Sequence, residues 1–338
     1  MKTDKTKRRM LYSFMYNLYV FMADNIFIQI ILLIVGFVLL VKGADIFVEG
    51  AAGIADKFHV PQLLIGLTIV ALGTSAPEAA VSIKAALSNN ADITVGNVLG
   101  SNIMNILIIL GITSVIIALT VQKSTLKYEI PFMIFVSIIF FSLGYFDGTI
   151  SRLDGVIIYV FLGIFLIYLF KMALSGKSSV EELPAGSTAN KSIPVLFLMT
   201  LIGLAGIIFG ADITVNSASN IAKIFGMEER LIGLTIVAFG TSLPELMTSV
   251  TAGIKGKSDI AIGNIVGSNI FNILFVCGTT ALITPVPFAS SFLIDGILTI
   301  ATAALLFICT IKDSKLKRPS GILFLVIYIV YFIHLVTA

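Results

Sequence analysis

Long apolar runs alternate with short polar stretches along most of this 338-residue chain. A membrane-spanning helix needs roughly 20 consecutive, mainly apolar residues. The runs of this length predict ten spans, at about 26–53, 62–88, 93–119, 126–146, 153–172, 193–221, 229–255, 260–283, 289–311 and 320–337. The pattern therefore predicts an all-α membrane protein with ten core transmembrane helices, which crosses the cell membrane many times.

A short extra hydrophobic segment precedes the first span, within residues 1–25. Residues 1–9 are polar and basic, and the apolar run 10–22 that follows is too short for a standard span. A basic start followed by a short apolar region also describes a signal peptide. A signal sequence, an interfacial helix and a short additional span all remain open for this segment.

Two sequence motifs occur twice, each time 167 residues apart. GLTIVALGTSAPE at 66–78 and GLTIVAFGTSLPE at 233–245 are identical at 11 of 13 positions. GNVLGSNIMNIL at 96–107 returns as GNIVGSNIFNIL at 263–274. The chain is therefore built from two copies of one unit.

Each copy contains five predicted spans, and the copies occupy 26–172 and 193–338 on either side of a polar linker, 173–192. Because five is odd, the second copy enters the membrane in the opposite orientation, which gives an inverted repeat. Twelve lysines and arginines fall in connections on the side of the linker and four on the other side. This excess predicts a cytoplasmic linker.

Composition agrees with a chain embedded in lipid. Charged residues make up 12% of it, against roughly 25% in soluble domains. The net charge of +3 is too small to indicate nucleic acid as a partner. The lipid bilayer is the expected environment, and nothing in the pattern indicates an obligate protein partner.

The first duplicated motif places a carboxylate inside an apolar run. Pro77 has no N–H, so it bends the helix and frees backbone oxygen near Gly73. Thr74 and Glu78 are four residues apart and share a helix face. A carbonyl, a hydroxyl and a carboxylate together form a hard-oxygen site, which suits Ca²⁺ or Na⁺ rather than zinc or copper.

The second copy repeats this arrangement with Thr241, Pro244 and Glu245. A carboxylate inside the membrane is costly without a partner, and inverted repeats bring equivalent residues together near the midplane. Glu78 and Glu245 are thus expected to share a cation, and without one at least one of them should be protonated. Two carboxylates balance one Ca²⁺ or two Na⁺, so competition for the same oxygens is a sufficient basis for exchange.

The second motif contributes hydroxyl and amide oxygens. Ser101 and Asn105 are four residues apart, as are Ser268 and Asn272, so each pair can face one site. Hydrogen bonding between helices is the alternative role for these four side chains. Small-xxx-small pairs that let helices approach closely are Gly96 with Gly100 and Gly263 with Gly267. Acidic residues toward span ends, interpreted as interfacial caps or gate charges, are Asp45, Glu49, Asp56 and Asp212.

The GTSAPE and GTSLPE elements, each followed by a GN–GSN element, resemble the two alpha-repeats of the sodium/calcium exchangers in the calcium/cation antiporter superfamily. The resemblance covers about 26–337. It implies a central site, exchange of external Na⁺ for cytosolic Ca²⁺ without a cofactor, and first and sixth helices that slide past a more rigid core. The ligands it implies are the backbone carbonyls of Ala71 and Ala238 and the side chains of Thr74, Ser75, Glu78, Ser101, Asn105, Thr241, Ser242, Glu245, Ser268 and Asn272.

Three departures narrow the branch of the family. Asn272 stands where the potassium-dependent branch has an aspartate, which puts potassium co-transport in doubt. Gly100 and Gly267 stand where proton/calcium exchangers carry a glutamate. The linker at 173–192 is too short for the large calcium-sensing domains of animal exchangers.

Three other functions compete with sodium/calcium antiport: an antiporter coupled to protons or to another cation, a channel, and an intramembrane hydrolase using Glu78 and Glu245 as an acid/base pair. Inverted repeats with proline-broken helices favour a transporter over a channel. A hydrolase needs a nucleophile or a metal-bound water, and no histidine or cysteine cluster offers one. The sequence therefore predicts a transporter that is not an enzyme.

Overall fold

The computed structural model describes residues 25–88, 90–175, 191–227 and 238–337. The N-terminal hydrophobic segment, most of the linker and the first part of the seventh predicted span lie outside the described residues. Within the described part, nearly every residue is helical apart from short connections.

The helices follow the predicted spans. Those of the first repeat are α1 Ile26–Phe58, α2 in two pieces, Gln62–Thr74 and Ala76–Leu87, α3 Ile93–Ile116, α4 Thr125–Asp147 and α5 Arg152–Leu174. Those of the second repeat are α6 Ile193–Ile224, α7 in the pieces Ala238–Thr241 and Leu243–Ile254, α8 Ser258–Ile283, α9 Ser290–Ile311 and α10 Arg318–Leu335. Eight described helices are individually long and apolar enough to cross a membrane, and α2 makes a ninth. The predicted all-α membrane fold is confirmed.

Helices α1 and α6 pack backbone to backbone. A Cβ atom on Gly43 would lie 2.7 Å from the Ile207 nitrogen, and one on Gly203 would lie 2.5 Å from the Phe47 nitrogen. Any larger residue at these positions would force the helices apart, so the glycines permit the close approach that helix pairs in membranes use. The two helices form one tightly joined pair against the rest of the bundle.

The centre of the bundle is formed around α8, where every residue from Ile260 to Phe271 is buried. A Cβ atom on Gly263 would lie 3.0 Å from the Gly66 Cα, and one on Gly267 would lie 2.8 Å from the Ala71 Cβ. The prediction that Gly263 and Gly267 allow close packing is confirmed. A Cβ atom on Gly96 would lie 3.3 Å from the Phe292 ring, and one on Gly100 would have no atom of the described residues within 4 Å, so the role of these two glycines in close helix packing stays a prediction.

Two short strand pairs fasten one repeat to the other. β1 Leu119–Thr120, which follows α3, pairs antiparallel with β4 Lys315–Leu316, which follows α9. β2 Thr149–Ile150, which follows α4, pairs antiparallel with β3 Val286–Pro287, which follows α8. The apolar pattern did not predict these strands, because two-residue strands carry no periodicity.

A second polar pair recurs in both repeats, away from the duplicated motifs. Tyr168 on α5 donates a hydrogen bond to the buried carboxylate of Glu129 on α4. Tyr331 on α10 donates to Asp295 on α9 at 2.8 Å. In each repeat, one oxygen of a carboxylate near the start of one helix thereby accepts a hydrogen bond from a tyrosine on the next, and a buried carboxylate in a membrane needs such a partner.

Candidate ion-binding site

Both helices that carry the duplicated GTS–PE element are broken where the prolines predict. The two pieces of α2 meet at Ser75 with a bend of 48°. Ser75 has φ −83° and ψ 7°, and Ser242 in α7 has φ −88° and ψ 1°, so neither continues the helix. Pro77 and Pro244 lie in the first turn after each break and cannot donate the missing backbone bond.

The two acidic side chains of this element lie inside the bundle. Glu78 is 2% exposed and Glu245 is 1% exposed. The Ser75 hydroxyl donates to Glu245 Oε1 at 2.9 Å, so the carboxylate of the second repeat lies against the bend of the first. One oxygen of each, Glu78 Oε2 and Glu245 Oε2, has no hydrogen-bond partner among the described residues.

Asparagines on the neighbouring helices hold the backbone of each glutamate. Asn97 on α3 donates to the Glu78 carbonyl at 3.1 Å and to the Ser82 hydroxyl at 2.9 Å. Asn264 on α8 donates to the Glu245 carbonyl at 3.3 Å. The same contact therefore positions the glutamate in both repeats.

Four more asparagines join the two repeats by hydrogen bonds across the centre of the bundle. Asn102 and Asn269 each donate to the other's backbone carbonyl at 3.2 Å. Asn105 donates to Asn269 Oδ1 at 2.9 Å, and Asn272 donates to Asn102 Oδ1 at 3.0 Å. The side-chain oxygens of Asn105 and Asn272 are then left buried without a partner in the described part of the chain. An amide oxygen in this state can accept from a donor or bind a cation.

The helices that carry these asparagines change their winding at the site. A π-helical segment begins at Asn105 in α3 and runs through Asn105–Leu110, and another begins at Asn272 in α8 and runs through Asn272–Cys277. Such wide turns are rare in proteins, and many of those that do occur lie at functional sites. Nothing in the apolar pattern predicted them.

The two backbone carbonyls implied by the family resemblance differ in their surroundings. The Ala71 carbonyl accepts a hydrogen bond from the Ser75 nitrogen at 3.0 Å. In the second repeat, the Ser242 nitrogen donates instead to the Phe239 carbonyl at 3.2 Å. The Ser242 amide therefore leaves the Ala238 carbonyl available to another partner.

The remaining predicted ligands lie around the same helices. Thr74 donates to Asn264 Oδ1 at 3.0 Å, and Ser268 donates to the Ala71 carbonyl at 3.4 Å, so both link the two repeats. The three others, buried or half-buried near the breaks and on α3, are Ser101, Thr241 and Ser242. Every predicted ligand is thus placed on the four central helices.

Sequence reasoning missed four asparagines that shape this site: Asn97, Asn102, Asn264 and Asn269. All four lie in the duplicated GN and GSN motifs, so the duplication itself was the available signal. It could not show which asparagine oxygens face the centre, because that depends on how each amide nitrogen is used.

A charged contact joins α1 to the end of α7. Lys255 Nζ lies 2.6 Å from Asp45 Oδ1 and 2.7 Å from Glu49 Oε1. Partial burial acts to lower the pKa of Lys255, but the hydrogen bonds to Asp45 and Glu49 outweigh it and raise the pKa overall. The interpretation of Asp45 and Glu49 as interfacial caps or gate charges stays a prediction. The other two acidic residues of that set, Asp56 and Asp212, are exposed.

The chain matches known transporters over almost its whole length. The family model described as sodium/calcium exchanger protein matches residues 28–171 and 195–337. The putative antiporter CaxA of Alkalimonas amylolytica is 39% identical over 298 residues, which cover 85% of this chain and 91% of that protein. The sodium/calcium exchanger MaX1 of Methanosarcina acetivorans is 32% identical over 351 residues, covering 91% and 98%.

The fold is also that of a solved exchanger. The structure of the sodium-calcium exchanger NCX_Mj soaked with zero Na⁺ and Ca²⁺ superposes with a TM-score of 0.80. It is 32% identical, and the alignment covers 92% of this chain and all of that one. These similarities confirm a multi-pass transporter of cations. The chain therefore belongs to the sodium/calcium exchanger family.

Proposed function

We propose that this protein is a secondary active antiporter that exchanges Na⁺ for Ca²⁺ across the membrane, by alternating access at the central site. Two proteins similar to it, MaX1 and NCX_Mj, are named sodium/calcium exchangers. The proposal places the linker at 173–192 in the cytoplasm, on the basis of the lysine and arginine count.

One observation carries this proposal: among the buried oxygens without a hydrogen-bond partner in the described part of the chain are four carboxylate and amide oxygens of the duplicated motifs, two from each repeat. They are Glu78 Oε2, Asn105 Oδ1, Glu245 Oε2 and Asn272 Oδ1. Carboxylate and amide oxygens are the ligands that Ca²⁺ prefers, and the two negative charges match its charge. Burying such oxygens without a partner is costly, so a cation that binds them recovers that cost.

The other ligands complete the coordination. We assign to the site the carbonyls of Ala71 and Ala238 and the hydroxyls of Thr74, Ser75, Ser101, Thr241, Ser242 and Ser268. Ca²⁺ takes six to eight oxygens, so one ion uses part of this set at a time. Two or more Na⁺ ions can occupy the same oxygens, which makes the two loads mutually exclusive.

Movement of the α1–α6 pair would expose the site to either side. The glycine packing of Gly43 and Gly203 joins the pair, so it can move as one body. Helix α6 passes both helix breaks, since Leu204 lies 3.2 Å from where a Gly73 Cβ would sit and Val215 lies beside Gly240. Phe47 of α1 lies 3.5 Å from the same Gly73 position. A shift of the pair would therefore open or close access beside the breaks.

Flux into vesicles tests the proposal. Purified protein is reconstituted, and ⁴⁵Ca²⁺ uptake is measured with an outward gradient of Na⁺, K⁺ or H⁺ imposed separately. We expect uptake with the Na⁺ gradient alone. Uptake driven by the proton gradient alone would identify a proton-coupled antiporter, and uptake without any counter-ion would identify a channel. Glu78→Gln protein serves as the inactive control.

A further inference from the structure

An open groove lies between the two repeats at one end of the bundle, apart from the central site. It has a volume of about 380 Å³ and is formed where α4 begins and α9 ends. The pairing of β1 with β4 and a hydrogen bond from the Val121 nitrogen to the Ser314 carbonyl, at 2.9 Å, join the two loops beside it. The groove is therefore built by both repeats and lies at the boundary of the apolar spans.

Basic and apolar residues both line the groove. Its basic residues are Lys123, Lys127 and Lys312, all exposed. Its apolar residues are Leu126, Phe307 and Ile311. A phospholipid needs this combination: cationic groups for its phosphate and apolar residues for the start of its acyl chains.

In the described part of the chain none of the three lysines forms an ion pair, although Lys312 interacts electrostatically with the exposed carboxylate of Asp313. The neighbouring carboxylate, Asp313, is engaged by Lys317 at 2.6 Å. Lys127 lies over the ring of Tyr128, with Nζ 5.2 Å from its centroid, and this cation–π contact stabilises the ammonium group without neutralising its charge. Three cations around one groove repel each other, so an anion between them is favoured.

The opposite end of the bundle provides an internal comparison. There a smaller groove of about 160 Å³ lies near the end of α4 and is lined by Ser142, Phe146 and Asp147 together with apolar residues. No lysine or arginine lines it. The equivalent helices α4 and α9 end differently: Asp147 is the last residue of α4, whereas Lys312 follows the last residue of α9. The internal repeat by itself therefore does not produce a basic groove.

We propose that the groove of Lys123, Lys127 and Lys312 binds the headgroup of an anionic phospholipid from the surrounding leaflet. The lysine count predicts that this leaflet is the cytoplasmic one. The phosphate lies among the three ammonium groups, and the glycerol and upper acyl carbons contact Leu126, Phe307 and Ile311. Since α4 belongs to one repeat and α9 to the other, the bound lipid links the two.

Native mass spectrometry of the purified full-length chain tests this, with phosphatidylglycerol and phosphatidylcholine of identical acyl chains as probes. The groove variant is Lys123→Gln/Lys127→Gln/Lys312→Gln. A matched variant, Lys57→Gln/Lys171→Gln/Lys191→Gln, removes the same charge from the same predicted membrane surface outside the groove. Each lysine near an anionic surface strengthens binding roughly fivefold. We expect the groove variant to bind phosphatidylglycerol on the order of a hundredfold more weakly, and the matched variant to bind it as the parent does.

A second readout is thermal unfolding of the same proteins. Phosphatidylglycerol should raise the unfolding midpoint of the parent and of the matched variant, but not of the groove variant, since a ligand stabilises only the protein that binds it. Unchanged phosphatidylglycerol binding by the groove variant would overturn the proposal. Equal losses in both variants would show general surface charge instead of a site, and displacement of the lipid by millimolar inorganic phosphate would show a soluble-anion pocket.

Discussion

The two repeats share the backbone contact of their glutamates at the centre of the molecule, whereas their charged contacts differ at its ends. At the centre, Glu78 and Glu245 have the same backbone contact, from Asn97 and from Asn264. At one end, Lys255 holds Asp45 and Glu49 together. The equivalent positions in the other half are Ser88, Asp212 and Asn216, which include no cation.

The difference matters because of the inverted arrangement. In a transporter built from an inverted repeat, the conformation open to one side of the membrane and the conformation open to the other side are related by exchanging the roles of the two repeats. Two identical repeats would give both states the same free energy. Only positions where the repeats differ can favour one state, so we infer that the centre determines which ion binds and the ends determine which side is open.

The largest expected effect on transport comes from neutralising one of the two central glutamates. Glu78→Gln and Glu245→Gln each remove half of the negative charge of the site and should each abolish Ca²⁺ transport. The loss should be at least a hundredfold, because a charge-assisted contact to a buried ion is worth several kcal/mol. Initial rates of ⁴⁵Ca²⁺ uptake into vesicles measure it.

Glu129→Gln is the matched control, since it neutralises another buried carboxylate of the membrane region and leaves an oxygen that can accept from Tyr168. It should retain transport. Normal transport by either central variant, or equal loss by the control, would contradict a shared central site.

A smaller effect should follow from removing the asparagine hydrogen bonds that join the two repeats. Asn102→Ala and Asn269→Ala each leave buried polar groups of the other repeat without a partner. An unsatisfied buried group costs about 1–3 kcal/mol, so each variant should lower the free energy of unfolding by about that amount. The double variant should lose less than the sum of the two. Denaturation in detergent measures these values, and additive losses would show that the two asparagines act independently.

The smallest effect should come from the charged contact at the end of α7. Lys255→Ser gives this position the residue of its counterpart, Ser88. Partly exposed ion pairs contribute about 1 kcal/mol or less. The variant should therefore shift the half-saturating Ca²⁺ concentration roughly two- to fivefold, in opposite directions at the two membrane faces, and less at high salt. Oriented vesicles measure both faces.

The reciprocal variant sharpens this comparison. Ser88→Lys/Asn216→Glu would place a similar contact beside Asp212 in the other half. Combined with Lys255→Ser, it should reverse the shift. Identical Ca²⁺ affinities at both faces in all of these proteins would show that Lys255 only anchors α1.

Much of this architecture could be read from the sequence because its signals are strong and repeated. The apolar runs gave the spans, the duplication gave the inverted repeat, and Pro77 and Pro244 gave the helix breaks. These features depend on local chemistry, so a pattern along the chain is enough to find them.

The rest depends on contacts between distant residues. Three features form only when the bundle is packed. They are the hydrogen bonds between Asn102 and Asn269, the π-helical turns that begin at Asn105 and Asn272, and the ion pairs of Lys255 with α1. Asp45 and Glu49 were interpreted from the sequence as interfacial caps or gate charges, but their partner Lys255 lies 206 residues away from Glu49. No periodicity connects such positions.

Equilibrium binding of ⁴⁵Ca²⁺ to the purified protein tests the central claim most directly. We predict one Ca²⁺ per chain, displaced cooperatively by Na⁺, and lost in both Glu78→Gln and Glu245→Gln but retained in Glu129→Gln. Two independent Ca²⁺ sites, or unchanged binding in either central variant, would contradict a single site shared by the two repeats.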